Sequence, residues 1–135
     1  MSSGGGQGPP PGAPHRIVHI ARPEDWEAAR TLGRYTHPSL RSEGFIHCST
    51  PDQLEATVAR HFEPGTEVVL LELDPSRLDS PDGDSPGPGP ELRWERSGDH
   101  GVFPHVFGPI PLAAVVADHR WNTGRELPAP LGTTT

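Results

Sequence analysis

The sequence predicts an α+β domain with a small mixed, mostly antiparallel sheet and two helices in the N-terminal half. Helical periodicity of apolar residues is confined to the first half of the chain. The remainder offers short apolar runs interrupted by Gly and Pro, which is typical of strands. Strands therefore outnumber helices, and segregation of the helices from most of the strands indicates the α+β class.

The first strand–helix unit lies at the start of the predicted domain. "RIVHI" (16–20) is a short apolar run that predicts a strand. A helix follows, with Pro23 in its first turn, acidic residues behind it and Gly33 as its stop. Its apolar stripe consists of Trp26, Ala29 and Leu32.

The second unit begins with "GFIH" (44–47), which predicts another strand. A hydroxyl residue precedes Pro51, a pattern that is typical of a helix N-cap followed by proline at the first helical position. Apolar residues then recur every fourth position and predict one helical face, at Leu54, Val58 and Phe62.

The second half of the chain predicts strands only. "EVVLLELD" (67–74) is the most apolar run and is bounded by turn residues, which favours a buried strand. Further strands are predicted near 92–95, 102–107 and 113–118.

The distribution of Pro and Gly divides the chain. Of 135 residues, 18 are Pro and 16 are Gly, and they concentrate in residues 1–14 and 79–91. Both segments lack the apolar residues that would offset the entropy of ordering them, so we expect a disordered tail and a disordered loop. Residues 15–128 then form a single domain, with 129–135 as a second flexible tail.

Charge and cysteine content exclude several classes. A formal net charge of −7 without a Lys/Arg cluster argues against binding of duplex nucleic acid. A single cysteine forms no internal disulfide, and no apolar segment approaches the length of a membrane span. Because a signal peptide is also lacking, the sequence predicts a cytoplasmic protein without membrane contact.

Three of the eight histidines, His19, His47 and His105, fall within or at the ends of predicted strands. For any one of them a hydrogen-bonded structural role is the simpler interpretation. Three in so small a domain favour a shared site instead. Alternate residues of a strand share a face, so Phe45 and Ser49 point with His47 toward that site. Ile46 and Cys48 then face the core.

The place of His47 adds a physical reason for a site. It precedes a predicted helix N-terminus by two or three residues, where free backbone N–H groups favour an anion. Ser49 and Thr50 supply further hydroxyl donors beside a phosphate or ribose, or alternatively cap the helix.

Two other chemistries were weighed for the same residues. Structural zinc sites show short Cys or His spacings and many catalytic ones carry H-E-x-x-H, and the sequence contains neither. No metal is therefore expected, although three histidines distant in sequence leave a metal-dependent hydrolase as an alternative. A nucleophilic Cys48 is disfavoured, because its side chain is predicted to face the core.

The second dense stretch is "RWERSGDHGVFPHVFGP" (93–109). Pro104 and His105 interrupt an apolar strand, and proline within a strand usually marks an edge or a bulge. Edges and bulges beside a cleft commonly direct a side chain into it.

These residues resemble the bacterial proteins of domain-of-unknown-function family 952. The matching pieces include "SLRSEGFIHCST", "VVLLELD", the Trp94-Glu95 pair and "FPHVFGPIPLAAVV", within residues 17–120 and apart from 79–91. The resemblance implies a fold similar to that of ADP-ribosyltransferases and NAD as the ligand. By position, His19 then contacts a ribose, "GFIHCS" walls the nicotinamide pocket, and "FPHVF" lies near the reacting sugar.

The sequence departs from those transferases at the last position, where "FPHVF" carries no Glu. Glu95 on the adjacent strand or His105 is expected to take over that role. RNA 2′-phosphotransferases of the same fold rely on basic residues instead. Three arginines are available here as phosphate contacts: Arg34, Arg41 and Arg93.

The leading hypothesis is thus an NAD- or nucleotide-binding protein that cleaves NAD and transfers ADP-ribose to a phosphate or a nucleic-acid end. Its catalytic residues are His47, His105 and Glu95. Its ligand contacts are His19, Phe45, Ser49, Thr50 and Trp94, with the two aromatic rings stacking on a flat ring of the ligand. The alternative is a non-enzymatic module that binds a nucleotide-like molecule or a partner protein. The sequence leaves the oligomeric state open.

Overall fold

The computed structural model describes residues 15–78 and 89–127. The predicted tails, 1–14 and 129–135, and most of the predicted loop 79–91 lie outside these residues. The helices are α1 (Pro23–Leu32), α2 (Ser39–Ser42) and α3 (Pro51–His61). The strands are β1 (Ile17–Ala21), β2 (Arg34–Tyr35), β3 (Ile46–His47), β4 (Glu67–Leu73), β5 (Glu91–Arg96), β6 (Val102–Phe107), β7 (Ile110–Pro111) and β8 (Val115–Asn122).

The strands form three sheets within the described residues, where the sequence suggested one. Their orders are β1-β4-β8, β2-β7 and β3-β6-β5. Each of these strand pairs is antiparallel. The predicted α+β class with mostly antiparallel pairing and helices in the N-terminal half is therefore confirmed.

Helices α1 and α3 begin and end where the sequence indicates. Gly33 closes α1 with a φ of 98°, a left-handed conformation that favours glycine. Thr50 caps α3 through a reciprocal pair of bonds with Gln53, in which the Thr50 hydroxyl accepts from the Gln53 N–H. Helix α2 was not predicted, because a four-residue helix is too short to show a periodic stripe.

The sheet β1-β4-β8 carries the core on both faces. Val69, Leu71 and Leu73 of β4 pack on the side of α1, whereas Val68 and Leu70 pack on the side of α3. A strand that is buried on both faces requires a continuous apolar run, which explains "EVVLLEL".

The last predicted strand is displaced in the structure. The expected strand at 113–118 begins as a 3₁₀ turn, Leu112–Ala114, and the strand itself runs over Val115–Asn122. Because β8 lies at the edge of its sheet, its polar second half remains solvated while its backbone pairs with β4, so apolar composition underestimated its length. In the described part of the chain no helix has the length and apolarity that crossing a membrane requires.

Candidate functional site

His47 and His105 lie opposite each other on the antiparallel strands β3 and β6. The neighbouring position carries a ladder bond, in which the Cys48 N–H donates to the Pro104 carbonyl at 3.1 Å. Because hydrogen-bonded and non-hydrogen-bonded pairs alternate, His47 and His105 form a non-hydrogen-bonded pair, the type whose side chains approach most closely. Their ring centroids are 5.3 Å apart.

Pro104 explains why β3 is so short. The Pro104 carbonyl points toward β3 and accepts from the Cys48 N–H. The Pro104 nitrogen also faces β3 but carries no hydrogen, so the ladder ends at Cys48. The chain then crosses to the first sheet, where Ser49 exchanges two backbone bonds with Val18 of β1 at 2.8 Å each. The expectation that Pro104 marks an edge strand or a bulge is wrong, because β6 is the middle strand of its sheet and its register with β5 is continuous at Pro104.

Both histidines of the pair contact a carboxylate. His105 Nδ1 donates to Glu95 at 2.8 Å, and His47 Nε2 donates to Glu43 at 3.1 Å. The side chain of His105 is only 8% exposed, whereas that of His47 is 52% exposed. Among the described residues no hydrogen-bond partner is found for His105 Nε2, and His105 lines the cleft described below. A neutral His105 therefore presents the Nε2 lone pair as a base.

Phe45, the residue before β3, supports the pair. Its ring stacks on His105 with a centroid distance of 4.1 Å and an interplanar angle of 17°. It also lies 4.8 Å from the His47 ring. Phe45 thus fixes the planes of both imidazoles, and the face that contacts His105 is not free to stack on a ligand as the sequence suggested.

A cleft of about 430 Å³ opens beside this pair, between the first sheet, α3 and the β5–β6 hairpin. This volume lies within the usual range for small-molecule sites. Its lining contains five of the eight histidines and a single arginine. The polar lining residues are His19, His37, Glu43, His47, Ser49, Thr57, Arg60, His61, Ser97 and His105.

His19 lines the cleft but has no nitrogen to offer a ligand. Its Nδ1 lies 2.6 Å from the His47 carbonyl oxygen and its Nε2 lies 2.8 Å from the Tyr35 hydroxyl. Burial is the main cause that lowers the pKa of His19 to about 3. The predicted ribose contact through this imidazole is corrected, because both of its nitrogens are engaged within the protein.

His37 also lines the cleft, although it lies outside the predicted strands. The Ser39 N–H donates to His37 Nδ1 at 3.0 Å, so a neutral ring carries its proton on Nε2. Burial is the first cause that lowers the pKa of this imidazole. The His37 ring lies edge-on to His19 at 5.3 Å and adds an N–H donor to the lining of the cleft.

Two predicted ligand contacts, Trp94 and Thr50, change their role, and a third, Ser49, lies at the cleft. Trp94 is 3% exposed and packs in the core, because neighbouring residues of β5 face opposite sides and Glu95 takes the side of His105. Thr50 caps α3 and is not among the residues that line the cleft. Ser49 does line it, and its hydroxyl contacts that of Thr57 at 3.2 Å.

The basic side chain at the cleft is Arg60, and the arginines proposed from sequence do not line it. Arg93 lies over the Phe107 ring and pairs with Glu91 instead. The spacing of Thr57, Arg60 and His61 was the available signal, since residues three and four apart share one face of a helix. That face is adjacent to the apolar stripe of α3.

The structure also bears on two other chemistries, a reactive Cys48 and a metal site. Burial raises the pKa of the Cys48 thiol, which disfavours the reactive thiolate. Ile46 and Cys48 are both buried in the core, as the strand alternation indicated. Within residues 15–78 and 89–127, no three or more His, Cys, Asp or Glu residues are grouped so that they could hold a metal ion.

Known proteins resemble this chain in sequence and in fold. The crystal structure of protein CC0527 from Caulobacter crescentus has 29% identity and a TM-score of 0.63, with 78% of this chain and 84% of that chain covered. The solution NMR structure of CC0527 has 26% identity and a TM-score of 0.61, with 81% and 86% covered. A search among curated proteins found no match.

The family model "Protein of unknown function (DUF952)" matches residues 20–118. This range contains all of the strands β2 to β7 and both histidines of the opposed pair. It also spans the stretches "EGFIHCST" and "FPHVFGP", on which the resemblance was based. The chain belongs to the DUF952 family of proteins of unknown function.

Proposed function

We propose that the cleft binds NAD or a similar nucleotide and that His105 acts there as a general base. The observation that carries this proposal is the His105 imidazole, which is oriented by Glu95, lines a cleft of ligand size and has no partner for Nε2 among the described residues. A base backed by a carboxylate is the arrangement that fixes a histidine tautomer for proton abstraction.

The proposed reaction is cleavage of the glycosidic bond between nicotinamide and ribose. The electron pair of that bond leaves with the nicotinamide nitrogen, which becomes neutral. Water or an acceptor hydroxyl forms the new bond to the anomeric carbon, and His105 Nε2 takes the proton that this oxygen loses. The products are nicotinamide and ADP-ribose, free or joined to the acceptor. The sequence predicts a phosphate or a nucleic-acid end as the acceptor; a hydroxyl of that end needs the base, whereas a charged phosphate oxygen attacks without one.

Two further side chains support an ADP-ribosyltransferase-like role. Glu43 lines the cleft beside His47 and offers a carboxylate to the positive charge that develops on the sugar, the role for which "FPHVF" has no Glu. Arg60 lines the cleft and lies over the Phe103 ring, so its guanidinium is available to a diphosphate.

The test combines NAD binding with product analysis. The purified protein is titrated with NAD by calorimetry and by thermal shift, and released nicotinamide is quantified by chromatography. Binding together with release above the buffer rate supports the proposal. Binding without release would favour the non-enzymatic nucleotide-binding module. Absence of both would exclude NAD as the ligand of this cleft.

A further inference from the structure

The buried imidazole of His19 connects three strands at the back of the cleft. It belongs to β1, its Nε2 meets the hydroxyl of Tyr35 on β2, and its Nδ1 meets the main chain of His47 on β3. His19 is 4% exposed and Tyr35 is fully buried. The contacts thus join elements of all three sheets through one side chain.

The directions of these two bonds are fixed by chemistry. A carbonyl oxygen only accepts, so Nδ1 of His19 carries a proton and donates it to the His47 oxygen. In the neutral ring Nε2 is then an acceptor, and the Tyr35 hydroxyl donates to it. Burial lowers the pKa of His19 and raises that of Tyr35, so both groups keep these protonation states at neutral pH.

The His47 carbonyl has no other partner in the β3–β6 ladder. In a non-hydrogen-bonded pair the N–H and C=O of each residue point away from the opposite strand. The carbonyl of His47 consequently points toward β1, where its oxygen accepts from His19 Nδ1–H at 2.6 Å. Since β3 has only two residues, this bond adds to the backbone bonds of Cys48 and Ser49 that hold the main chain beside His47.

We infer that His19 is a positioning residue, which holds the His47 backbone so that its imidazole stands opposite His105. Tyr35 fixes the tautomer in which His19 can do this. For the effect on turnover, the inference rests on the proposed function of His105 and on the catalytic role that the sequence predicts for His47. The placement of the two rings can be measured without any substrate.

The experiment compares three variants. His19→Leu keeps much of the side-chain volume but removes the donor to the carbonyl. His19→Asn places an amide N–H near the position of Nδ1 and is the matched rescue variant. Tyr35→Phe removes the hydroxyl and leaves the bond to His47 intact. Backbone amide spectra establish that each variant is folded, and NMR contacts between the His47 and His105 ring protons report their placement.

The expected pattern separates positioning from general stability. His19→Leu should lose the inter-ring contacts and lower kcat about 10- to 100-fold, with KM changed less than about twofold. His19→Asn should restore the ring contacts and most of kcat. Tyr35→Phe should retain the ring contacts with a smaller loss of kcat.

Two results would overturn the inference: a folded His19→Leu variant with unchanged ring contacts, or a folded His19→Asn variant that behaves like His19→Leu. If His19→Leu does not fold, the ring contacts of His19→Asn and Tyr35→Phe decide in the same way. If the wild-type protein releases no nicotinamide, the proposed reaction fails, whereas the ring contacts still decide whether His19 positions His47.

Discussion

His19 and His105 are buried to nearly the same degree, with exposures of 4% and 6%, yet they stand in opposite chemical situations. Both nitrogens of His19 are bonded to the protein, to a carbonyl oxygen and a hydroxyl. Within the described residues His105 is bonded through Nδ1 alone, and its side chain lines the cleft. Burial therefore does not distinguish a structural histidine from a reactive one, and the partners of its two nitrogens do.

The largest expected effect is that of replacing His105, the histidine proposed to act as the base. His105→Asn keeps an amide N–H near Glu95 but removes the basic Nε2, so release of nicotinamide should fall about 100- to 10,000-fold. The measurement is the initial rate of NAD cleavage. The control is His15→Asn, which alters an exposed histidine outside the cleft and should leave the rate unchanged. Full activity of a folded His105→Asn variant would falsify the base assignment.

The next largest effect is on the free energy of unfolding when His19, the structural histidine, is replaced. His19→Ala leaves the Tyr35 hydroxyl and the His47 carbonyl buried without their partner and opens a cavity, so the free energy of unfolding should fall by about 3–4 kcal/mol. His47→Ala changes a half-exposed side chain and should alter stability by less than about 1 kcal/mol. Urea denaturation measures both. Equal losses in the two variants would contradict the contrast between a structural and a surface histidine.

Stability should also depend on pH through His19. Its pKa is about 3 in the folded chain and 6.5 ordinarily, so between these values the unfolded chain binds more protons. The stability that is present above pH 6.5 is therefore lost as the pH falls toward 3, by about 2 kcal/mol at pH 5.

The matched variant for this pH effect is His19→Asn, which has no proton to gain. The difference in unfolding free energy between pH 7 and pH 5, measured by urea denaturation, should shrink by about the same 2 kcal/mol. His37, whose pKa is also lowered, contributes equally to both proteins and cancels in the comparison. An unchanged pH dependence would show that His19 takes up a proton between pH 7 and pH 5 in the folded chain as readily as in the unfolded chain.

The smallest effect concerns the ligand itself. Arg60→Gln removes the guanidinium at the cleft, and KM for NAD should rise about 10-fold with kcat little changed. The reason is that the ionic contact to the diphosphate is lost equally in the bound ground state and in the transition state. Arg30→Gln is the control, since Arg30 lies on α1 outside the cleft and pairs with Glu27. A rise in KM that is equal for both variants would assign the effect to net charge.

Sequence patterns identified some residues of the site correctly and missed others. Strand alternation placed Ile46 and Cys48 in the core, and strand position selected three of the five histidines that line the cleft. The same alternation forbids Trp94 and Glu95 from sharing a face, a constraint that the choice of both residues overlooked. Glu43 carries no local signal of its place at the cleft, and the spacing of Thr57, Arg60 and His61 indicates one helix face but not that this face lies beside strands distant in the chain.

By itself, the sequence determined the family, the α+β class and the ends of α1 and α3. These properties follow from short-range physics: apolar periodicity, the capping pair of Thr50 and Gln53, and the left-handed Gly33. Only the tertiary structure decided the register that sets His47 against His105, the Tyr35–His19–His47 chain of bonds and the side chains that surround the cleft. Those contacts join residues far apart in the chain, and their geometry depends on how three sheets pack.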